Sequence, residues 1–387
     1  MADTLLGRIL ILGFCVRFFT QKWAFLPCAL TLCVASVFYF GLTGTYWALT
    51  GELTRWSAHI LDLLGVDTAH LGYFKIIGLS GGVLERVDGM MVLGMFGGAF
   101  CAALWRGGVR LRYAPHFMRA LLGGVLAGFG ARLGMGCNLA SFMTGIPQFS
   151  LHAWFFTGAS LAGIYLGLKI VRPVSCPKSL GVVLPLKVGV ILGLGVFVGV
   201  IALAWRAPLA TLAWAIGFGW FFGFVIARAQ FCFTCAFRNL FVWGKTGPAC
   251  ALVVGMMIAS IGVFGYIQLG VPAKIMWASP GILIGGLFFG FGIVLAGGCE
   301  CGWLFRAMEG QIHFMLVGVG NIIGAGLLAL SWDRYSNWIT SYPKINLLLS
   351  LGHFGGLLCQ YALLLLLLLF VLGVGRIKTQ AVGASKG

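Results

Sequence analysis

The sequence predicts an all-α polytopic membrane protein. The expected plan is about 9–10 transmembrane helices in two inverted repeats, with paired short or re-entrant broken helices meeting at the midplane. Three observations predict it: an apolar composition, an internal repeat built around glycine-cysteine breaks, and a one-sided distribution of basic loops. Of the 387 residues, 60% are hydrophobic and 9% charged. Soluble proteins carry about 25% charged residues. The mean hydropathy of +1.01 therefore points to lipid as the solvent. Sixty glycines suit helices whose backbones pack closely.

Crossing the hydrocarbon layer takes about 20 apolar residues. Such runs lie near 23–42, 89–105, 120–136, 151–170, 188–206, 210–227, 248–268, 281–298, 312–331 and 352–375. The run Leu5 to Val16 is short, is broken by Arg8 and precedes no clear cleavage site, so it reads as an uncleaved interfacial segment. The chain then divides into 1–22, a cytoplasmic or interfacial N-terminal segment; 23–175, a first transmembrane repeat; 176–209, a linker and connecting helix; 210–331, a second repeat; 332–375, a final loop and helix; and 376–387, a cytoplasmic tail.

The formal charge of +17 fits topology better than a nucleic-acid partner. With alternating loops and the N-terminus inside, seventeen Lys and Arg fall inside against one acid, Asp3. Seven basic residues and six acids fall outside, and Arg132 and Arg306 lie at membrane depth. The positive-inside rule then puts both termini in the cytoplasm.

Shifting the chain by 162 residues brings the two halves into register. Gly123-Gly124 meets Gly285-Gly286, Gly128-Phe129-Gly130 meets Gly290-Phe291-Gly292, and Gly136-Cys137-Asn138 meets Gly298-Cys299-Glu300. The run before Cys137 starts inside and the run before Cys299 starts outside, so the copies are expected to be inverted. Paired broken helices of this kind place a binding site near the midplane, where half-helix N-termini offer N–H groups to an anion. Glycine alone is ordinarily a packing residue here. Packing does not require a cysteine and a polar neighbour at both equivalent points.

A third break reads RAQFCFTCAFRNLFVW over residues 228–243, with Cys232 and Cys235 in a CxxC. Its loose counterpart, GTYWALTGELTRW at 44–56, has Trp47 near the position of Cys232. These residues resemble the YeeE/YedE family of sulfur-transport membrane proteins. GLTGTYWALTGELTRW, YFKIIGL, ARLGMGCNLASFMTGIPQFSLHAWFF and FGIVLAGGCECGW are most similar to its YedE-type branch, often labelled selenium-metabolism membrane proteins. The resemblance spans roughly residues 25–375. It implies an inner-membrane permease, not an enzyme, with a cysteine-lined path for a thiosulfate-like or selenium-containing anion. It also suggests a cytoplasmic sulfur- or selenium-carrier protein as acceptor. By motif, Cys137 and Cys299 match the family's two GC-turn cysteines, and Cys232 lies in the F-C-x-x-x-A motif. In the thiosulfate permeases the third cysteine belongs to the first half, where this chain has Trp47.

The chemistry agrees with that use. A neutral thiol is polarizable and a weak donor. It can hold a soft anion loosely enough to release it. The expected substrate path comprises Cys137, Cys299, Cys232, Asn138, Glu300, Arg132, Gly136, Gly298, Cys235 and Cys301, with no metal and no cofactor. Cys15, Cys28, Cys33, Cys101, Cys250 and Cys359 read as small buried hydrophobes. Arg132 either attracts an anion or pairs with Glu300. Arg306 and Glu309 have the spacing of a local pair. His152 and His313 read as capping or interfacial residues. Asn138 and Gln148 are candidate amide donors to an oxyanion. Two other readings stand beside the permease: a membrane redox protein using Cys232/Cys235 and Cys299/Cys301 for persulfide or disulfide chemistry, and a soft-metal permease. The CxxC lacks a βαβ context, and the basic interior favours anions over cations.

Overall fold

Apolar runs of spanning length fold into long helices, and glycine-rich breaks divide several of them. The computed structural model describes residues 21–384 apart from 108, 115, 172–178 and 184. Most of the predicted interfacial segment, with Arg8, Cys15 and Arg17, lies outside the described residues, as do Arg172, Lys178 and Lys386.

The first half holds α1 (Phe25–Thr43), α2 (Thr50–Leu63), α3 (Gly72–Ile77), α4 (Val87–Trp105), strand β1 (Arg110–Arg112), α5 (Phe117–Leu133), a π-helical segment (Asn138–Gly145) and α6 (Leu151–Ile170). Strand β2 (Ser179–Val183) pairs antiparallel with β1, and α7 (Leu186–Arg206) follows. The second half holds α8 (Ala210–Ala229), α9 (Phe233–Trp243), α10 (Gly247–Gln268), α11 (Pro280–Ala296), α12 (Glu300–Met308) and α13 (Ile312–Ser331). Then come the short α14 (Ser336–Thr340) and the long α15 (Leu347–Ala384), interrupted at Gly352. Among the described residues nine helical segments are long and apolar enough to span a bilayer; α5 and the π-helical segment, bent by 43°, make a tenth. Each predicted apolar run overlaps one of them. The chain is an all-α, multi-span membrane protein.

Small residues decide which helices meet. A Cβ at Gly98 of α4 would lie 1.9 Å from the Trp220 carbonyl oxygen of α8, and one at Gly219 of α8 would lie 2.1 Å from the Met91 oxygen of α4. The residue numbers rise together, so α4 and α8 run parallel. The same test makes α1 parallel to α10, α5 parallel to α13 and α6 parallel to α11. Helices α5 and α11 are antiparallel: Gly123 faces Ala296, and Gly285 faces Gly134. These relative directions agree with the alternating loops of the charge analysis. On the outer ring α7 and α15 present Ile191, Trp205, Leu349 and Leu366 outward, apolar surface suited to lipid.

One end of the bundle is held by a buried ionic network. Glu52 of α2 accepts from Arg86 Nη2 at 2.6 Å, Arg55 Nη1 at 3.2 Å and Trp56 Nε1 at 3.1 Å. Arg55 also reaches Asp88 at 2.8 Å and the carbonyls of Ile77 and Gly78. The segment carrying α3 is thereby tied to α2 and α4. Removing one partner of such a set leaves charge buried alone. Glu52→Ala is expected to cost about 3–5 kcal/mol, read as a lower Tm in detergent; an unchanged Tm would show the network to be dispensable.

Candidate functional site

Three long helices stop in the same way. Each passes into a residue in the left-handed region: Met135 (φ 53°) after α5, Gln230 (φ 51°) after α8 and Gly297 (φ 78°) after α11. The following N–H turns back to a carbonyl five residues earlier: Gly136 to Ala131 at 2.8 Å, Phe231 to Ile226 at 2.9 Å and Gly298 to Ile293 at 3.0 Å. This closure satisfies carbonyls that a stopped helix would otherwise leave open.

The next residue in each case is a cysteine: Cys137, Cys232 or Cys299. Its carbonyl accepts the first bond of a short helix, from Ser141 at 2.8 Å, Ala236 at 3.0 Å and Trp303 at 2.8 Å respectively. No side chain caps any of the three starts. Thiols therefore occupy positions where serine, threonine or aspartate would ordinarily cap a helix. The helix starts also carry the positive end of the helix dipole.

The three starts converge. Cys299 Sγ donates to Cys232 Sγ at 3.7 Å, and the Phe233 N–H donates to Cys299 Sγ at 3.2 Å. Asn138, beside Cys137, donates through Nδ2 to Cys301 Sγ at 3.8 Å. Phe142 of the π-helical segment sits against Phe233 of α9 with ring centroids 4.8 Å apart. Cys137 and Cys299 are fully buried, so neither faces lipid. Cys137 lies within electrostatic range of Arg132 and Glu300. Gly302 completes the contact, because a Cβ there would approach Cys232 Sγ to 2.7 Å. Gly136 is needed beside Ser141, whose Oγ a Cβ would approach to 1.9 Å, whereas Gly298 adjoins Phe314 and Arg306.

The charged residues are arranged differently from the simplest sequence pairings. Glu300 accepts from Trp303 Nε1 at 2.6 Å and Asn321 Nδ2 at 2.5 Å. Arg132 instead donates through Nη2 to Thr50 Oγ1, so the direct pair with Glu300 is not made. Nor do Arg306 and Glu309 pair. Arg306 turns toward the thiols, with Nη2 on Cys235 Sγ at 3.5 Å and Nη1 on the Gly297 carbonyl at 3.0 Å. Glu309 accepts from Gln311 at 3.2 Å and stands 4.0 Å from Arg106. Burial pushes its carboxyl above the ordinary range, and Arg106 opposes that. Gln148 lies apart from the thiols, accepting the Lys274 N–H at 2.8 Å. Both histidines bond away from the thiols and neither caps its own helix: His152 Nδ1 bonds Ser150 Oγ at 2.5 Å, and His313 Nε2 bonds the Ala296 carbonyl at 2.9 Å.

Among the described residues several buried polar atoms around the thiols lack a hydrogen-bond partner: Arg132 Nε, Asn138 Oδ1, Ser141 Oγ, Thr234 Oγ1 and Trp47 Nε1. Buried polar groups are usually hydrogen-bonded, which makes these atoms exceptions. Trp47 fills the fourth helix interruption, between α1 and α2, edge-on to Phe222 at 4.1 Å. Thr50, Trp303, Asn321 and Gly302 escaped the sequence reading. Asn321 carried a signal, a lone amide in an apolar run.

The chain matches the profile of the family described as Sulphur transport over residues 10–166 and 228–386. It is 49% identical over 372 residues to the probable transporter YedE of Escherichia coli strain K12, covering 91% of this chain and 92% of that protein. It is 44% identical over 92 residues to the thiosulfate transporter TsuA of the same organism, covering 23% of this chain and 26% of that one. A thiosulfate transporter TsuA of Spirochaeta thermophila is 31% identical over 128 residues, 32% of this chain and 37% of that one. With one family matched across both halves and a relative this similar along nearly its whole length, the chain belongs to the sulphur-transport family, a family of membrane transporters and not of enzymes.

Proposed function

We propose that the protein is an inner-membrane permease that moves a small sulfur- or selenium-containing anion into the cytoplasm along its buried cysteines. The single observation that carries this reading is the convergence of Cys232 on Cys299, each thiol at an uncapped helix start, with Asn138 beside Cys137 reaching Cys301. Helix starts favour negative charge, and thiols favour a soft terminal atom. Together they suit an anion with one oxygen-rich end and one sulfur or selenium end. The named substrate of the TsuA relatives, thiosulfate, has that form.

Antiparallel packing of α5 on α11 about a common centre supports reading the halves as an inverted repeat. In that arrangement the GC turns of the two halves approach from opposite sides. Passage then requires the packed rings of Phe142, Phe233 and Phe237 to part, since they sit among the cysteine-bearing starts. The redox reading receives one specific observation, the 3.7 Å contact of Cys232 with Cys299. That contact serves a thiol relay equally well, and family membership favours transport.

Uptake of labelled thiosulfate, and of selenite or related selenium species, into proteoliposomes tests the proposal. Wild-type protein is expected to accumulate at least one of them; failure with all would remove the permease reading. Orientation has its own test. A reporter fused after Val66 is expected outside and one after Gly107 inside, and the reverse would overturn the cytoplasmic placement of the termini.

A further inference from the structure

We infer that a cavity at the C-terminal end of α12 is a second anion site, one that grips a small divalent oxyanion by its oxygen atoms. Its purpose rests on the permease reading; its binding chemistry does not. The cavity encloses about 420 Å³ and is lined by Arg106, Arg110, Arg112, Arg306, Glu309 and Gln311 among others. Four arginines and one glutamate thus line the same cavity. That carboxylate is already engaged, by Arg106 and by Gln311. Arg306 is engaged on the thiol side. Arg110 and Arg112 have no ion-pair partner among the described residues.

These arginines are fixed by backbone, not held on a loose loop. The Arg110 N–H donates to the Glu309 carbonyl and the Arg112 N–H to the Gly310 carbonyl, both at 3.0 Å. Gly310 permits this approach: at φ +89° it takes a conformation side chains rarely adopt, and a Cβ would lie 2.6 Å from the Arg110 carbonyl oxygen. Strand β1 is held on its other edge by β2. The arginines are therefore pinned to the end of α12, whose start carries Cys299 and Cys301. Nine helical residues separate the two ends, about 13 Å at 1.5 Å per residue. Arg306 spans the interval, lining the cavity while touching Cys235.

The two sites ask different questions of an anion. Guanidinium forks match the oxygens of sulfate-like ions and do not prefer a sulfur atom over an oxygen. Thiols recognise the soft atom and gain little from charge. The basic cavity therefore selects for charge, and the cysteines select for softness. Sulfate and thiosulfate are expected to bind the cavity with similar affinity, although only thiosulfate suits the thiols.

The test is titration calorimetry of sodium sulfate and sodium thiosulfate into purified full-length protein in neutral detergent, at constant ionic strength. Arg110→Ala with Arg112→Ala is expected to weaken sulfate binding by about tenfold or more, as the loss of two charge-assisted contacts implies. Glu309→Gln is expected to tighten it severalfold, because it removes the one negative group. Cys250→Ser is expected to leave it unchanged. Phosphatidylglycerol is titrated in parallel. Binding of that lipid but not of sulfate, with the same arginine dependence, would assign the cavity to a membrane headgroup and overturn the proposal. Equal sulfate affinity in wild type and the double variant, or no sulfate binding by wild type, would also overturn it. Intact sulfate binding in a protein that transports none of the tested anions would leave this site standing and remove the permease reading alone.

Discussion

Cys299→Ala is expected to lower thiosulfate uptake into proteoliposomes by about tenfold or more, while Cys250→Ala stays within about twofold of wild type, a tenfold change being what one lost contact of ordinary hydrogen-bond strength produces. Cys299 joins the site's elements: it donates to Cys232 and accepts the Phe233 N–H. Alanine there removes a thiol and leaves that N–H without its acceptor. Cys250 lies near the start of α10, away from the three breaks and only half-buried. Both changes delete one sulfur, so general loss of a cysteine is controlled. The readout is initial uptake rate, normalised to folded protein by Tm and gel filtration. Equal rates in the two variants would argue against any cysteine path.

Gly98→Leu is expected to abolish the folded protein. No rotamer choice avoids the clash, because it begins at the Cβ, 1.9 Å from the Trp220 carbonyl oxygen, and the obstacle is backbone. Helices α4 and α8 would have to separate along the interface they share at Gly94, Gly98, Gly219 and Gly223. A cost of about 3 kcal/mol or more follows from overpacking a site that cannot relax. Gly195→Leu on α7 is the control: nothing lies within 4 Å of a Cβ there. Fluorescence-detected gel filtration should show an aggregated Gly98→Leu and a monodisperse Gly195→Leu. A normal peak from Gly98→Leu would mean that α4 and α8 do not pack as described.

Much of the architecture was legible along the chain because lipid makes a local demand. Every spanning segment must be apolar and must satisfy its own backbone, so run length and breaks reveal the helices. The three broken elements were visible as glycine or polar interruptions with a cysteine at the centre of each. The breaks of the candidate site were legible: Cys137, Cys232 and Cys299 all stand at the starts of short helices. Its partners were not. Arg306 and Glu309 have the spacing of a pair, yet each turns away toward a group far off in sequence, Cys235 and Arg106 respectively. Spacing along one helix reports which side chains could meet, not which competitors stand nearby. Gly302 looked like any packing glycine until its neighbour proved to be a thiol 70 residues earlier in sequence.

The amino-acid order by itself determined the solvent, the helices, their breaks and the cysteine at each break, because hydropathy and turn chemistry act over a few residues. Only the tertiary structure decided that Cys232 lies on Cys299, that Arg132 reaches Thr50 and that four arginines share one cavity. Those pairings depend on which glycine faces let distant helices approach, and that is settled by packing in three dimensions.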